Sequence, residues 1–280
     1  MKYANLKTTI PTTKNNGVTD MSKHLSSTAV AFALPLFAAV SLFGPPVIAH
    51  EQYPQLAKIK AHDIQAKSGN ALAAFDIVHA KIVAAKRGLT FQMHVSGRAG
   101  SAKPAKSGKL AGSRTFAYVW PTKLGPGAAG FEPKSGILAL AVTSHPDFDD
   151  TPWFDENGDG KYDNDGDLWH MHWVVLVPDN ACGKGMLKVK DIKKGAKPKL
   201  PRTWPGLPLY IDSPGYSPRI EGKSVEVRVP FANASELKGI AFDAVTAGLR
   251  ISKNLHAPLF CVANVFDVAS GSLSLPGKVR

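Results

Sequence analysis

The chain has 280 residues, 44% of them hydrophobic, and a formal net charge of +12 at pH 7. That is enough apolar material for one sizeable core, with one or two domains the starting expectation. With two cysteines and no CxxC a thiol oxidoreductase is not indicated, and the lack of CxxCH excludes covalent c-type haem attachment. There is no GxSxG, no HExxH and no Gly-rich phosphate loop ahead of a helix.

In chain order, residues 1–49 read as export machinery. Met21 opens a short basic start with Lys23 and His24, an apolar run follows from Thr28 to Phe43, and Val47-Ile48-Ala49 supplies small residues for cleavage after Ala49. Met21 is the better start than Met1. The run is broken by Pro35 and falls short of the ~20 residues that span a bilayer. A periplasmic or secreted product with no lasting membrane anchor is therefore expected, its domain covering residues 50–280. Without the leader the net charge would be about +9. Lys-rich stretches at Lys103–Lys109 and Lys184–Lys199 favour an anionic envelope polymer or polysaccharide as partner. They lack interleaved aromatics, which argues against nucleic acid.

Strands dominate after Ala73. Phe75 to Ala84 and Leu89 to Ser96 form a hairpin around Lys86-Arg87-Gly88. In the second strand Leu89, Phe91, Met93 and Val95 share one face, the period-2 signature of a half-buried strand. Gly100 to Gly112 is a Gly/Ala/Lys/Ser loop. Thr115–Trp120, Ile137–Thr143, Leu168–Val177, Met186–Val189, Leu207–Ile211, Val225–Val229, Ile240–Ile251 and Leu259–Val268 are further strand candidates. Many short strands, many turns and no helical period predict an all-β fold, a single antiparallel β-sandwich with long loops behind a signal peptide. Cys182 and Cys261, an even pair in an exported chain, predict one disulfide. Closing a loop of ~80 residues stabilises by roughly 4 kcal/mol in the chain-entropy view.

The most informative stretch is the acidic loop 147–167, with nine of the 22 acidic residues, which runs directly into the apolar strand carrying His170 and His172. Asp155, Asn157, Asp159, Gly160 and Asp163 fall at positions 1, 3, 5, 6 and 9 of an EF-hand-type calcium loop, with the Lys161 carbonyl at position 7. DENGDG resembles the first half of an EF-hand loop, and KYDNDGD resembles the Asp-rich repeats of thrombospondin type 3 and dockerin modules. The resemblance covers about a dozen residues. It implies Ca2+, with Asp165 or Asp167 supplying the carboxylate that Gly166 at position 12 cannot. The strand texture of FDIVHAKIVAAKRGLTFQMHVSG and of the C-terminal third is similar to DOMON-type sandwiches, which include haem- and sugar-binding domains.

His170 and His172 share a strand face with Leu168, Val174 and Leu176, and two imidazoles on one face can chelate a transition metal given a third ligand. His94 and His145 are the candidates for it. The string HMHW resembles the zinc-site strand of α-carbonic anhydrases over four residues. That family's downstream ligand strand is not found, His256 being the only later histidine. The competing reading has His170 and His172 hydrogen-bonded to Asp149, Asp165 or Asp167, tying the loop to the sheet. Non-covalent haem would draw on Met93, Met171, His94 and His170. Asp147, Asp149 and Asp150 are a candidate glycosidase set, but nothing in the sequence fixes their separation. A carbohydrate-binding module would need Trp120, Trp153, Trp204 or Tyr210 exposed. The leading expectation is an exported calcium-binding sandwich with a binding or structural role in the cell envelope. A haem or transition-metal redox domain and a carbohydrate-binding module are the alternatives.

Overall fold

The computed structural model describes residues 62–66, 68–69, 71–253 and 258–280. The leader, its cleavage site and His256 lie outside them. The fold is all-β and antiparallel. Alternation of apolar and polar side chains sets the first sheet. In β3 (Gly88–Val95) Leu89, Phe91, Met93 and Val95 are buried and their neighbours half-buried. β2 (Ile77–Ala85) pairs with it across the Lys86-Arg87 turn. β1 (Ile64–Gln65), β9 (Arg219–Glu221) and β10 (Ser224–Pro230) complete the order β1-β2-β3-β10-β9.

The second sheet departs from the expected sandwich. It contains β4 (Arg114–Pro121), β5 (Ile137–Ser144), β6 (His170–Pro178), β7 (Leu187–Val189), β12 (Val245–Ile251) and β13 (Phe260–Val268). Its order is β5-β4-β12-β13-β7-β6, and β6 pairs back onto β5 from Ile137↔Leu176 to Thr143↔His170. The sheet is thus a six-stranded barrel. Closure pairs strand edges that an open sheet would leave exposed. The short β8 (Ile211–Asp212) is added to β6, and β11 (Ala241–Phe242) pairs with β14 (Gly277–Lys278) as a separate ribbon. The single stretch Ile240–Ile251 is therefore two strands, broken at Asp243-Ala244.

Two apolar clusters follow from this arrangement. Phe91, Met93, Val225 and Val227 of the open sheet pack against Tyr118, Trp120, Leu140, Met171, Trp173 and Val175 on the outer face of the barrel. The opposite faces of the same barrel strands, including Ala117, Ala141, Val174, Leu249 and Phe260, line its interior. The wall β4-β5-β6 is buried on both sides, which explains its continuous apolar runs. Barrel closure between β7 and β13 rests on one pair, Cys261↔Lys188. The expected disulfide, Cys182–Cys261, is formed beside it and bridges 79 residues of sequence.

Candidate metal centre

Period 2 on β6 points His170 and His172 into the barrel with Val174 and Leu176, and sends Met171 and Trp173 to the outer core. His145 follows the last residue of β5, two positions beyond the Thr143↔His170 pair. Five residues on, Asp150 turns back under the barrel end. Among the described residues these four form a group of metal-binding type, their ligand atoms all within 4.8 Å of one another. His145 Nε2 is 2.8 Å from His170 Nε2, and Asp150 Oδ1 lies 3.1 Å from His145 Nε2, 3.5 Å from His172 Nε2 and 3.7 Å from His170 Nε2. All four side chains are buried.

The outer nitrogens are already engaged. His145 Nδ1 is 2.8 Å from the Phe148 carbonyl, His170 Nδ1 2.8 Å from the Leu168 carbonyl, and His172 Nδ1 3.0 Å from Ser213 Oγ. A carbonyl can only accept, so in His145 and His170 Nδ1 carries the proton and a neutral ring presents a bare Nε2 lone pair to the centre. These are the outer hydrogen bonds that orient metal-bound imidazoles. Asp150 Oδ1 and His172 Nε2 make no aligned hydrogen bond. Two neutral imidazoles cannot face each other lone pair to lone pair at 2.8 Å; a proton or a cation must sit between them.

Burial and charge pull the titrations apart. Burial drives His172 down to about 3 against the pull of Asp150. Burial also opposes the charged forms of His145 and Asp150, but their partners outweigh it: Asp150 holds His145 above its ordinary range, and His172 and His145 hold Asp150 well below the usual carboxylate range. The group therefore favours a cation among three imidazoles and one carboxylate. A tetrahedral ion with bonds of about 2.0–2.1 Å places its ligand atoms about 3.3 Å apart, close to the spacing found. The four residues could hold a metal ion.

The acidic loop behaves differently. Asp155 accepts from the amides of Gly158, Asp159 and Gly160; Asp159 accepts from Lys161 N and Asn164 Nδ2; Asn157 Oδ1 accepts from Asp159 N. Asp165 is fully buried and accepts from Glu156 N, while its own amide donates to Asp149. Asp167 pairs with Lys103 at 3.6 Å, and Lys161 and Asp163 are exposed. Asp149, Asp155, Asp159 and Asp165 thus each accept hydrogen bonds from backbone N–H groups of the loop. Gly166 is required for a reason the calcium pattern did not suggest: a Cβ there would run into the Phe148 and His145 carbonyls. His145 N donates to Gly166 O at 2.6 Å, so the loop's end is locked to the turn that presents His145.

Other expectations are corrected by placement. His94 does not join the group; it lies on β3 of the open sheet with its Nδ1 3.2 Å from His79 Nδ1. His170 and His172 meet neither Asp149, Asp165 nor Asp167 but Asp150. Met93 and Met171 are core residues between sheet and barrel, and Met171 lies on the opposite face of β6 from His170. Asp147 accepts from Ser107 and Gly108, and Asp149 holds Thr151, so the three loop aspartates do not act as one set. Trp120 and Tyr210 are buried and Trp204 donates to Leu209 O, leaving Trp153, 62% exposed, without the other members of an aromatic platform. Asp150 is the member of this group that sequence reading missed. Its five-residue spacing from His145 was a signal, hidden by the eight other acids around it.

Above the group the barrel encloses a cavity of ≈ 230 Å³, because alanines and threonines face inward where larger residues would fill it. His145, Asp150 and His172 form part of its lining. Comparison of the chain with family models, with curated proteins and with solved structures gives no match.

Proposed function

We propose that the protein is an exported metal-binding protein whose centre is His145, Asp150, His170 and His172 holding one divalent transition-metal ion. The observation that carries this is the 2.8 Å approach of His145 Nε2 to His170 Nε2, with both Nδ1 atoms committed to carbonyls and the Asp150 carboxylate alongside. Three imidazoles suit ions such as Zn2+, Co2+, Ni2+, Cu2+ or Fe2+. They do not suit calcium, which takes six to eight oxygens at ~2.3–2.6 Å. The disulfide supports an oxidising compartment. The competing occupant is a proton shared between His145 and His170 and balanced by Asp150. Elemental analysis of the purified, disulfide-intact protein separates them. One metal per chain, lost in His170→Ala, supports the centre; a folded protein that takes up none of these ions at micromolar concentration refutes it.

A calcium ion in the acidic loop is a separate proposal. Its support is that Asp155, Asn157 and Asp159, at alternate positions, all turn inward on a loop whose Gly158 and Gly160 have left-handed φ of 75° and 83°. Calcium at millimolar concentration should raise the melting temperature and EDTA lower it. No change in either direction would retire calcium here without touching the histidine centre, provided the metal there is followed separately.

A further inference from the structure

The barrel cavity extends the metal reading, on which this inference rests. Its lining is nearly all apolar, with Ala247 and Ala117 side by side on β12 and β4, and Ala141 and Val174 on the next strands β5 and β6. The titratable groups of the lining are those of the metal centre, with the hydroxyl-bearing Thr143 paired beside them, so a molecule in the chamber has one end against the ion and most of the rest against hydrocarbon. A divalent ion with three neutral imidazoles and one carboxylate keeps a net charge of one. In a buried apolar setting a charge is tolerated only when paired, so the chamber favours a monoanionic donor over a neutral one. Four-coordinate zinc-type ions can accept a fifth ligand. Size sets the body: a cavity of roughly 150 Å³ takes up benzene, so 230 Å³ holds one ring, or a chain of about eight carbons, with its head group. The lining reaches the surface along β13. Beyond the single pair Cys261↔Lys188 no ladder joins β13 to β7, and there Val265, a lining residue, is 47% exposed.

We propose that the barrel chamber is a binding site for a small amphiphilic carboxylate, aromatic or short aliphatic, with its carboxylate on the metal at His145, Asp150 and His172 and its hydrocarbon among Ala117, Ala247 and Val174. No covalent step is implied.

The test uses the full chain loaded with Co2+, whose visible spectrum reports a change of coordination, with metal content measured on every sample. Benzoate and octanoate should shift the spectrum saturably. Toluene, which lacks the anion, should compete at least tenfold more weakly than benzoate. Ala247→Leu fills the chamber from β12, three strands away from β6, which carries His170 and His172; it should keep its metal and bind benzoate at least tenfold more weakly. Should that variant fold poorly, a size series on the unaltered protein decides the matter: 9-anthracenecarboxylate, too large for the chamber, should not bind. Full metal content with no response to benzoate or octanoate overturns the inference and leaves the metal centre standing. So does a response that tolerates both Ala247→Leu and the three-ring acid, since the ligand would then sit elsewhere. Failure to take up metal removes the centre and the carboxylate site together.

Discussion

Four carboxylates of the acidic loop and a fifth, Asp150, sit within twenty residues of one another and meet opposite fates. Those of the acidic loop, Asp149, Asp155, Asp159 and Asp165, each accept backbone N–H groups. Asp150, in the same stretch, is buried with one oxygen facing only imidazole nitrogens. The contrast shows that charge density does not by itself leave carboxylates without hydrogen-bond donors. A loop can satisfy many acids with its own amides, because tight turns with left-handed glycines aim several N–H groups at one oxygen. A site arises where donors of one kind converge and no local hydrogen donor remains to satisfy them.

That contrast can be broken most sharply at its buried end. Asp150→Ala should leave the imidazoles without their counter-charge and lower metal affinity by at least about two orders of magnitude, whereas Asp159→Ala in the exposed loop should leave uptake at the histidines unchanged; equilibrium dialysis against Zn2+ measures both. Joining the two regions is Gly166. Gly166→Ala forces backbone against backbone at Phe148 and His145, with an expected cost of ~2–4 kcal/mol in urea denaturation; a loss below about 0.5 kcal/mol would mean the loop is not locked to the barrel end. Ser213→Ala removes the partner of His172 Nδ1 and should weaken metal binding by about 10–100-fold, with the metal-free protein's unfolding midpoint little changed.

The smallest effect concerns Glu156. Burial, with Asp149 and Asp165 adding, pushes its pKa up to about 7. Its folded-state value is thus above the unfolded one, so the folded protein retains a proton that the unfolded chain releases. The stability from this proton is present below about pH 4.5 and is lost as pH rises through about 7. Solvent screening limits the effect to ~1 kcal/mol. Glu156→Gln should flatten that part of the pH profile, and bound calcium in the loop should flatten it too, by pulling the same pKa down.

The fold was largely legible along the chain. Alternation in Leu89–Val95 and Val225–Val229 marked strands with one buried face, and the unbroken apolar run of β6 marked a strand covered on both sides. The pairing of β6 back onto β5 was not legible, since both strands suit a flat sandwich wall as well as a curved one. At the site, the shared face of His170 and His172 followed from period 2, and His145 was named as a partner. His94 was named with equal warrant and lies in the other sheet.

What the sequence by itself determined is therefore local. Strand periodicity, the two-histidine face, the cysteine pair and the loop's left-handed turns each depend on residues close in sequence or on a pair with no rival. Tertiary structure decided the rest: that the sheet closes, that its small inward residues leave a chamber, and that Asp150 rather than its acidic neighbours reaches the imidazoles. These outcomes depend on which distant backbones pair and on where each buried charge finds its partners. Both are set by the summed packing of the whole chain, which no single stretch contains.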